Sequence, residues 1–264
     1  YSFYNIESGL NPRNDKSEYI KETLASYTAR LNYSIQDKYL FTFSGRYDGS
    51  SKLAVNNKWA FFPAAAFAWK ASDEDFLQST DWLSNLKFRL SYGESGNDTS
   101  ANAYGSLALL GQSDYLFGTT LANGTYVTRF SNSGLVWERS KEFNIGVDLG
   151  ILDNKVRLGI EIYNKKTVGS ILGRTLSPIT GFNDATGNYG SIGNKGVEIT
   201  LNTRNIRTDN FSWTTNLNFS KNNNEILDLD GSLDLIPYEN HGVLQIGQPA
   251  DAIWTYEKLG IYQL

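Results

Sequence analysis

Residues 137–163 read WERSKEFNIGVDLGILDNKVRLGIEIY, and this stretch decides the fold class. Phe143, Ile145, Val147 and Leu149 fall on every second position, separated by Asn144, Gly146 and Asp148. After a turn at Gly150–Lys155 the alternation resumes, with Val156, Leu158, Ile160 and Ile162 set against Arg157, Gly159 and Glu161. Successive strand side chains point to opposite faces, so a period of two over both arms predicts an antiparallel hairpin with one apolar and one polar face. The apolar face needs a cover, and the choice lies between a second sheet and lipid.

The same pattern extends in both directions. Ala25–Ile35 and Tyr39–Tyr47 alternate about a turn at Gln36–Lys38, which predicts a second hairpin. Trp59, Phe61, Ala65, Phe67 and Trp69 share one face of a further strand. Pro63 interrupts it, so a bulge is expected there, or pairing that starts only beyond it. Residues 70–85 read as a short helical excursion with Ser72 as N-cap and acids in its first turn. Leu86–Tyr92, Val197–Thr203 and Phe211–Phe219 alternate again. Residues 1–22, 94–134, 165–195 and 221–245 read as loops, and 252–263 as one more strand, about nine strands in all.

Composition narrows the function classes. The chain of 264 residues has net charge −4 and a pI of about 5.2, which argues against a nucleic-acid partner. It has no cysteine, which excludes disulfides, thiolate metal sites and cysteine nucleophiles. No apolar run approaches the roughly 20 residues of a spanning helix, but barrel strands are amphipathic and escape that test.

Link lengths favour lipid as the cover. Links 36–38, 150–155 and 205–210 are short and 70–85 is moderate, while 48–58, 94–134 and 165–195 are long. Short turns on one side and long loops on the other mark an outer-membrane barrel. Trp59 and Trp69 stand ten positions apart on one face. That separation covers roughly 25 Å along the barrel axis, the height of a lipid-facing band. Tyr33, Tyr39 and Trp213 fall near short turns, and Tyr47 and Tyr92 near long loops, as two aromatic girdles require. The opposite faces hold Arg30, Arg46, Arg89, Glu142, Asp148, Arg157, Glu161 and Glu198, which suit a wet lumen and neither a sandwich core nor lipid.

Several longer strings resemble the SusC/RagA-type TonB-dependent transporters: LASYTARLNYSIQDKYLFTFSGRYDGSSKL, FPAAAFAW followed by DEDFL, LKFRLSYGESGN, the opening hairpin, and GNYGSIGNKGVEI. Gly247–Gln263 adds Gly247, Pro249, Tyr256, Gly260, Ile261, Tyr262 and Gln263. The resemblance implies an all-β chain that is part of a 22-stranded antiparallel transmembrane β-barrel, with short periplasmic turns and long extracellular loops. Residues 1–264 would then be a fragment of the barrel domain, with the plug domain, its TonB-engaging segment and the remaining strands outside this chain. The implied location is the outer membrane of a Gram-negative bacterium, in contact with its lipid. The implied activity is import of a bulky nutrient, an oligosaccharide or a peptide, driven by the TonB–ExbB–ExbD complex. The implied partner is a SusD-like surface lipoprotein acting as a lid. A passive porin shares the barrel physics and differs in lacking a plug; a soluble carbohydrate-binding β-sandwich differs in needing the alternating faces as its core and in extracting without detergent.

Catalytic signals are weak, and no enzymatic activity is expected. His241 is the single histidine and lies in a polar stretch without a patterned serine nucleophile. The carboxylate pairs Glu142/Asp148 and Glu161/Glu198 read as solvated lumen lining, so replacing Glu161 by glutamine is expected to leave stability nearly unchanged. DLDGSLD, with Asp228, Asp230 and Asp234, lacks the further ligands and distal glutamate of a calcium loop, and no metal or cofactor is assigned. Gly187, Gly190, Gly193 and Gly196 precede a strand, not a helix, so they predict close backbone approach at a loop-to-strand junction. The strongest binding signal is the 94–134 loop, where Tyr104, Tyr115, Phe117 and Tyr126 stand among Gly, Ser, Asn and Thr as candidate contacts for substrate or lid.

Overall fold

A computed structural model describes residues 19–229, 231, 235–238, 242–255 and 260. Among the described residues twelve strands follow in order: β1 (Leu24–Ile35), β2 (Tyr39–Ser50), β3 (Trp59–Lys70), β4 (Leu83–Asn97), β5 (Leu109–Phe117), β6 (Thr120–Arg129), β7 (Glu138–Ile151), β8 (Val156–Thr175), β9 (Asp184–Arg207), β10 (Ser212–Leu229), β11 (Leu235–Tyr238) and β12 (Gly242–Gln245). Eight of them form one antiparallel sheet in the order β1-β2-β3-β4-β7-β8-β9-β10. β5–β6 and β11–β12 are separate two-stranded sheets. No α-helix occurs among the described residues.

The β7–β8 hairpin follows its alternation. Val147 pairs with Ile160, Leu149 with Leu158 and Gly146 with Glu161, so each face is continuous across the two strands. At the first hairpin Gln36 and Asp37 take φ of 51° and 56°, and Lys38 N–H closes on the Ile35 carbonyl at 3.1 Å. Such left-handed turn residues match the twist of the paired strands.

No second sheet covers the apolar face among the described residues. Phe143 is 44% exposed, Phe219 50% and Ile162 57%. Aromatic groups stand at both ends of that face. Trp59 stacks on Tyr47 at 5.0 Å and on Tyr27 at 6.0 Å, and ten residues away Trp69 stacks on Phe88 at 5.6 Å. Above the apolar band the face becomes charged along a diagonal. Tyr92 pairs with Phe143, and the next residues outward are Glu94 and Lys141. Val197 pairs with Ile162 on β8 but with Lys221 on β10. A boundary that steps down the register from β7 to β10 is level in space once strands tilt by about 40°, as barrel strands do.

Several expectations are corrected. Residues 70–85 form no α-helix: the helical part is a short 3-10 helix at Ala71–Asp73, its N-cap position is Lys70, and Ser72 Oγ donates to Asp73 Oδ1 instead of capping. Pairing runs through Pro63 without a bulge on the β2 side, where it faces Gly45, and begins at Ala64↔Gly93 on the β4 side. Proline lacks an N–H for a second ladder, and the one-sided start accommodates that. The 94–134 segment is not all loop, because β4 runs to Asn97 and β5–β6 lies within it. The 165–195 loop is mostly strand: β8 and β9 are 20 and 24 residues long and leave only residues 176–183 as the link. Beyond residue 221, β10 continues to Leu229, and β11 and β12 follow. β9 continues to Arg207, which shortens the next turn to 208–211. The four glycines of GNYGSIGNKG lie inside β9, not at its start. Among the described residues the main sheet holds eight strands, the eight expected before residue 252. Residues 1–18, His241, Asp230, Asp234 and most of the 252–263 strand lie outside the described residues; Ile253 bridges Gly242.

The buried apolar cluster sits at the long-link end, not at mid-height. Leu53, Ala54, Phe62, Ala101, Leu135, Trp137 and Ile171 form it. Trp137 Nε1 donates to the Lys58 carbonyl at 2.9 Å, and its ring meets Phe62 edge-on at 5.6 Å. Above Ala64 the β3 and β4 strands part, and Arg139 fills the gap by donating to the Phe61 carbonyl at 3.2 Å and to Glu94 Oε2 at 2.5 Å.

Candidate functional site

The predicted polar residues share the face opposite the aromatics. Arg89, Gly146, Glu161 and Glu198 stand in one cross-strand row over β4, β7, β8 and β9. Arg89 Nε and Nη2 donate to the two oxygens of Asp148 at 2.9 and 3.0 Å, a bidentate fork. Its Nη1 reaches Glu161 Oε1 at 2.5 Å. The guanidinium crosses β7 where Gly146 has no side chain; a Cβ there would stand 2.8 Å from Arg89 Cζ. The pattern repeats one strand further on. Tyr163 lies over Gly196, where a Cβ would collide with its ring, and donates to Asn222 Oδ1 on β10 at 3.1 Å. Alternation in the sequence hides both crossings, because it marks the glycines only as polar-face positions.

The structure brings together some of the predicted residues and not others. Arg89, Asp148 and Glu161 form one network. Arg46 pairs with Asp48 at 2.7 Å and donates to Ser26 Oγ at 3.2 Å. Arg30, Glu142, Arg157 and Glu198 have no side-chain partner among the described residues. Glu198 stands directly opposite Glu161, so Arg89 neutralises only one of two facing carboxylates. Glu142, Glu161, Glu198 and Lys165 line a polar hollow of about 410 Å³ with Tyr163 and Asn222.

At the long-link end, Tyr115 and Phe117 of β5 meet edge-to-face at 4.7 Å. Tyr126 pairs with Gly111 and so shares their face of the β5–β6 hairpin. All three are more than half exposed. Tyr104 stands apart: its carbonyl accepts from Arg129 Nη2 at 2.7 Å, and its Oη accepts from Lys21 N–H at 3.3 Å. Sequence reasoning missed Glu138, a buried carboxylate that accepts from Asn97 Nδ2 at 2.5 Å and Ile171 N–H at 2.7 Å, tying β4, β7 and β8 together below the rim.

It also missed the knot at the turn end. Glu74 Oε1 accepts from Tyr39 Oη at 2.6 Å and Trp69 Nε1 at 3.0 Å, and Oε2 accepts from Lys38 Nζ at 3.1 Å. The Tyr39 hydrogen bond first, then those of Trp69 and Lys38, hold the Glu74 carboxyl down at about 2. The hydrogen bond to Glu74 in turn raises Lys38 above its ordinary value. The acids of the DEDFL string were the available signal, since a carboxylate between two aromatic donors and a lysine serves as a fastener.

An uncovered apolar face with aromatic edges, backed by a charged and hydrogen-bonded face, is the cross-section of a transmembrane barrel wall. The family profile described as "TonB dependent receptor-like, beta-barrel" matches residues 1–241. The chain belongs to the TonB-dependent receptor β-barrel family. Among curated relatives it is 36% identical to TonB-dependent receptor P3 of Formosa agariphila, over 99% of this chain and 27% of that protein. It is 34% identical to TonB-dependent receptor SusC of Bacteroides thetaiotaomicron, over 90% of this chain and 25% of that protein. A solved structure of the RagAB peptide importer in its closed-closed state superposes with TM-score 0.78 at 28% identity, over 86% of this chain and 25% of that one. The chain thus spans about a quarter of the curated TonB-dependent receptors it matches.

Proposed function

We propose that this chain is a segment of the barrel wall of an outer-membrane active importer of the SusC type, within residues 1–264 of its barrel domain. The observation that carries the reading is the two-faced sheet. Its apolar, aromatic-edged face meets outer-membrane lipid, and its charged face lines a water-filled lumen. A plug domain, further barrel strands and the TonB–ExbB–ExbD complex complete the machine. Its cargo is a bulky nutrient, an oligosaccharide or a peptide, which crosses without being chemically altered.

On this reading the lumen wall is formed by Arg30, Arg46, Arg89, Glu142, Asp148, Arg157, Glu161 and Glu198. Those without protein partners among the described residues, Arg30, Glu142, Arg157 and Glu198, are available to cargo or plug. Tyr115, Phe117 and Tyr126 on the β5–β6 hairpin present an aromatic face to cargo or to a SusD-like lid, and Tyr104 braces the hairpin's base. A lone two-stranded hairpin with exposed aromatics is only marginally stable, which favours a partner resting on it.

The test is uptake by cells carrying the full-length transporter, offered labelled oligosaccharides and labelled peptides. Import of one class that stops on TonB deletion or proton-gradient collapse supports the reading. Import that continues without TonB points to a porin. Recovery of the full-length protein without detergent overturns the barrel altogether. Tyr115→Ala with Phe117→Ala should weaken cargo or lid binding at least tenfold while the barrel stays folded.

A further inference from the structure

A pocket of about 410 Å³ opens at the long-link end, between the base of the β5–β6 hairpin and the start of β9. Arg129, Phe130 and Ser131 line one side of it, and Thr186, Asn188 and Tyr189 the other. It shares no residue with the polar hollow around Glu161 or with the Tyr115–Phe117 face. Two amides fix its frame. Asn132 Nδ2 donates to the Thr186 carbonyl at 2.9 Å, and Asn188 Nδ2 donates to the carbonyls of Val136 and Gly169 at 2.9 and 2.7 Å. The amide oxygens of Asn132 and Asn188 accept from Gly134 and Val136 N–H, each at 2.9 Å. Tyr189 is held as well, because its ring folds over Gly187, where a Cβ would stand 2.6 Å from the ring Cζ. Phe130 rests on Phe182 of the 176–183 link with ring centroids 3.7 Å apart, and remains 47% exposed.

The groups this frame leaves unused point to a ligand. Arg129 Nη2 donates to the Tyr104 carbonyl at 2.7 Å, but its Nε is buried with no hydrogen-bond partner among the described residues. No carboxylate pairs with Arg129 and no Asp or Glu lines the pocket, among the described residues. A buried donor without an acceptor is costly, and a guanidinium compensates it best with an anion. The hydroxyls of Ser131, Thr186 and Tyr189 also make no hydrogen bond among the described residues. A planar cation suits a carboxylate, hydroxyls both donate and accept, and an exposed ring takes the apolar face of a sugar. A neutral sugar would leave Arg129 without an anion. A peptide side chain would lack an apolar pit, since no aliphatic residue larger than alanine lines the pocket among the described residues.

We propose that this pocket binds a uronate residue of an acidic oligosaccharide. Arg129 takes the carboxylate, Phe130 supports the sugar ring, and Ser131, Thr186 and Tyr189 meet its hydroxyls. The proposal rests on the importer reading above and narrows its cargo, and the test separates the two.

The full-length transporter is purified in mild detergent, and heat-modifiable gel migration reports an intact barrel. Isothermal titration calorimetry compares oligomers of galacturonate, mannuronate and glucuronate, each beside its carboxyl-reduced neutral counterpart. Wild type should bind at least one acidic oligomer about tenfold tighter than its neutral counterpart, as a charge-assisted hydrogen bond supplies. Arg129→Gln should erase that preference, and Arg129→Lys should keep part of it. Thr186→Val with Tyr189→Phe should weaken acidic and neutral oligomers alike by about fivefold or more. Equal affinity within every acidic and neutral pair, or an unchanged preference in a folded Arg129→Gln variant, overturns the site. If Arg129→Gln fails to fold, the Thr186→Val/Tyr189→Phe variant decides, and unchanged affinity there overturns the site. Cells carrying the wild type should take up the preferred oligomer only while TonB is present. Arg129-dependent binding without TonB-dependent uptake keeps the pocket and overturns the importer reading instead.

Discussion

Arg89 and Glu161 lie on strands separated by β7, yet their side chains meet at 2.5 Å because the guanidinium passes over Gly146. The contact clamps three strands through one side chain, and it depends on a missing Cβ.

Gly146→Ala should therefore uncouple Arg89 from Glu161 with little loss of total stability, since alanine relieves the conformational penalty of a strand glycine. In the wild type a double-mutant cycle between Arg89 and Glu161 should give about 0.5–1 kcal/mol, typical of a part-exposed pair, and near zero in the Gly146→Ala background. Glu161→Gln then has a measurable effect, contrary to its reading as solvated lining. An unchanged coupling energy in the alanine background would show that Arg89 takes another path.

Glu74 sets an acid limit on the turn end. Its carboxyl is held at about 2 in the folded chain against an ordinary 4.5. The stabilisation it supplies is thus fully present above about pH 4.5 and is lost as pH falls from there through 2. Unfolding midpoints of wild type and Glu74→Gln, measured across that window, should converge toward its acidic end. Tyr39→Phe should narrow the gap between them, because it removes the largest contributor to the shift.

Ile160 and Val147 face each other in the middle of the apolar band. Ile160→Arg should destabilise the barrel by about 2–4 kcal/mol if the residue lies at the bilayer midplane. Thr200→Arg, on the polar face, should cost under about 1 kcal/mol, the usual range for an exposed polar change. Equilibrium unfolding of the full-length protein from lipid vesicles makes the comparison, and the reverse ranking would invert the two faces.

Leu135 is fully buried in the rim cluster, at 0% exposure. Leu135→Ala should destabilise the rim by about 2–5 kcal/mol. Hydrogen exchange should rise in the links after β2 and before β7, which meet through Ala54 N–H and the Leu135 carbonyl at 3.2 Å, while the β8–β9 pairing keeps its protection.

The sequence made the two-faced sheet legible because period-two alternation is a local property. Phe143–Leu149 and Val156–Ile162 pair face for face as their spacing requires. It misled where alternation lapses without the strand ending. Lys165–Thr175 and Asp184–Lys195 are continuous strand, yet their glycines and mixed polarity read as loop, because a strand that leaves the bilayer no longer needs an apolar face. Ser72 resembled a cap because Ser precedes acids in so many helices, but three residues of 3-10 turn leave it nothing to cap. The site contacts were less accessible still. Glu74 meets Lys38 across 36 positions and Arg89 meets Asp148 across 59, separations that no local pattern encodes.

The rim cluster of Leu53, Ala54, Phe62, Ala101, Leu135, Trp137 and Ile171 also bears on kinetics. On the proposed importer reading these links are packed before cargo arrives, so their conformational entropy is surrendered once, during folding, and not at each capture. A mouth built this way favours rapid turnover of many molecules over slow, deep closure around one. The adaptable part of the entrance is then confined to the protruding β5–β6 hairpin.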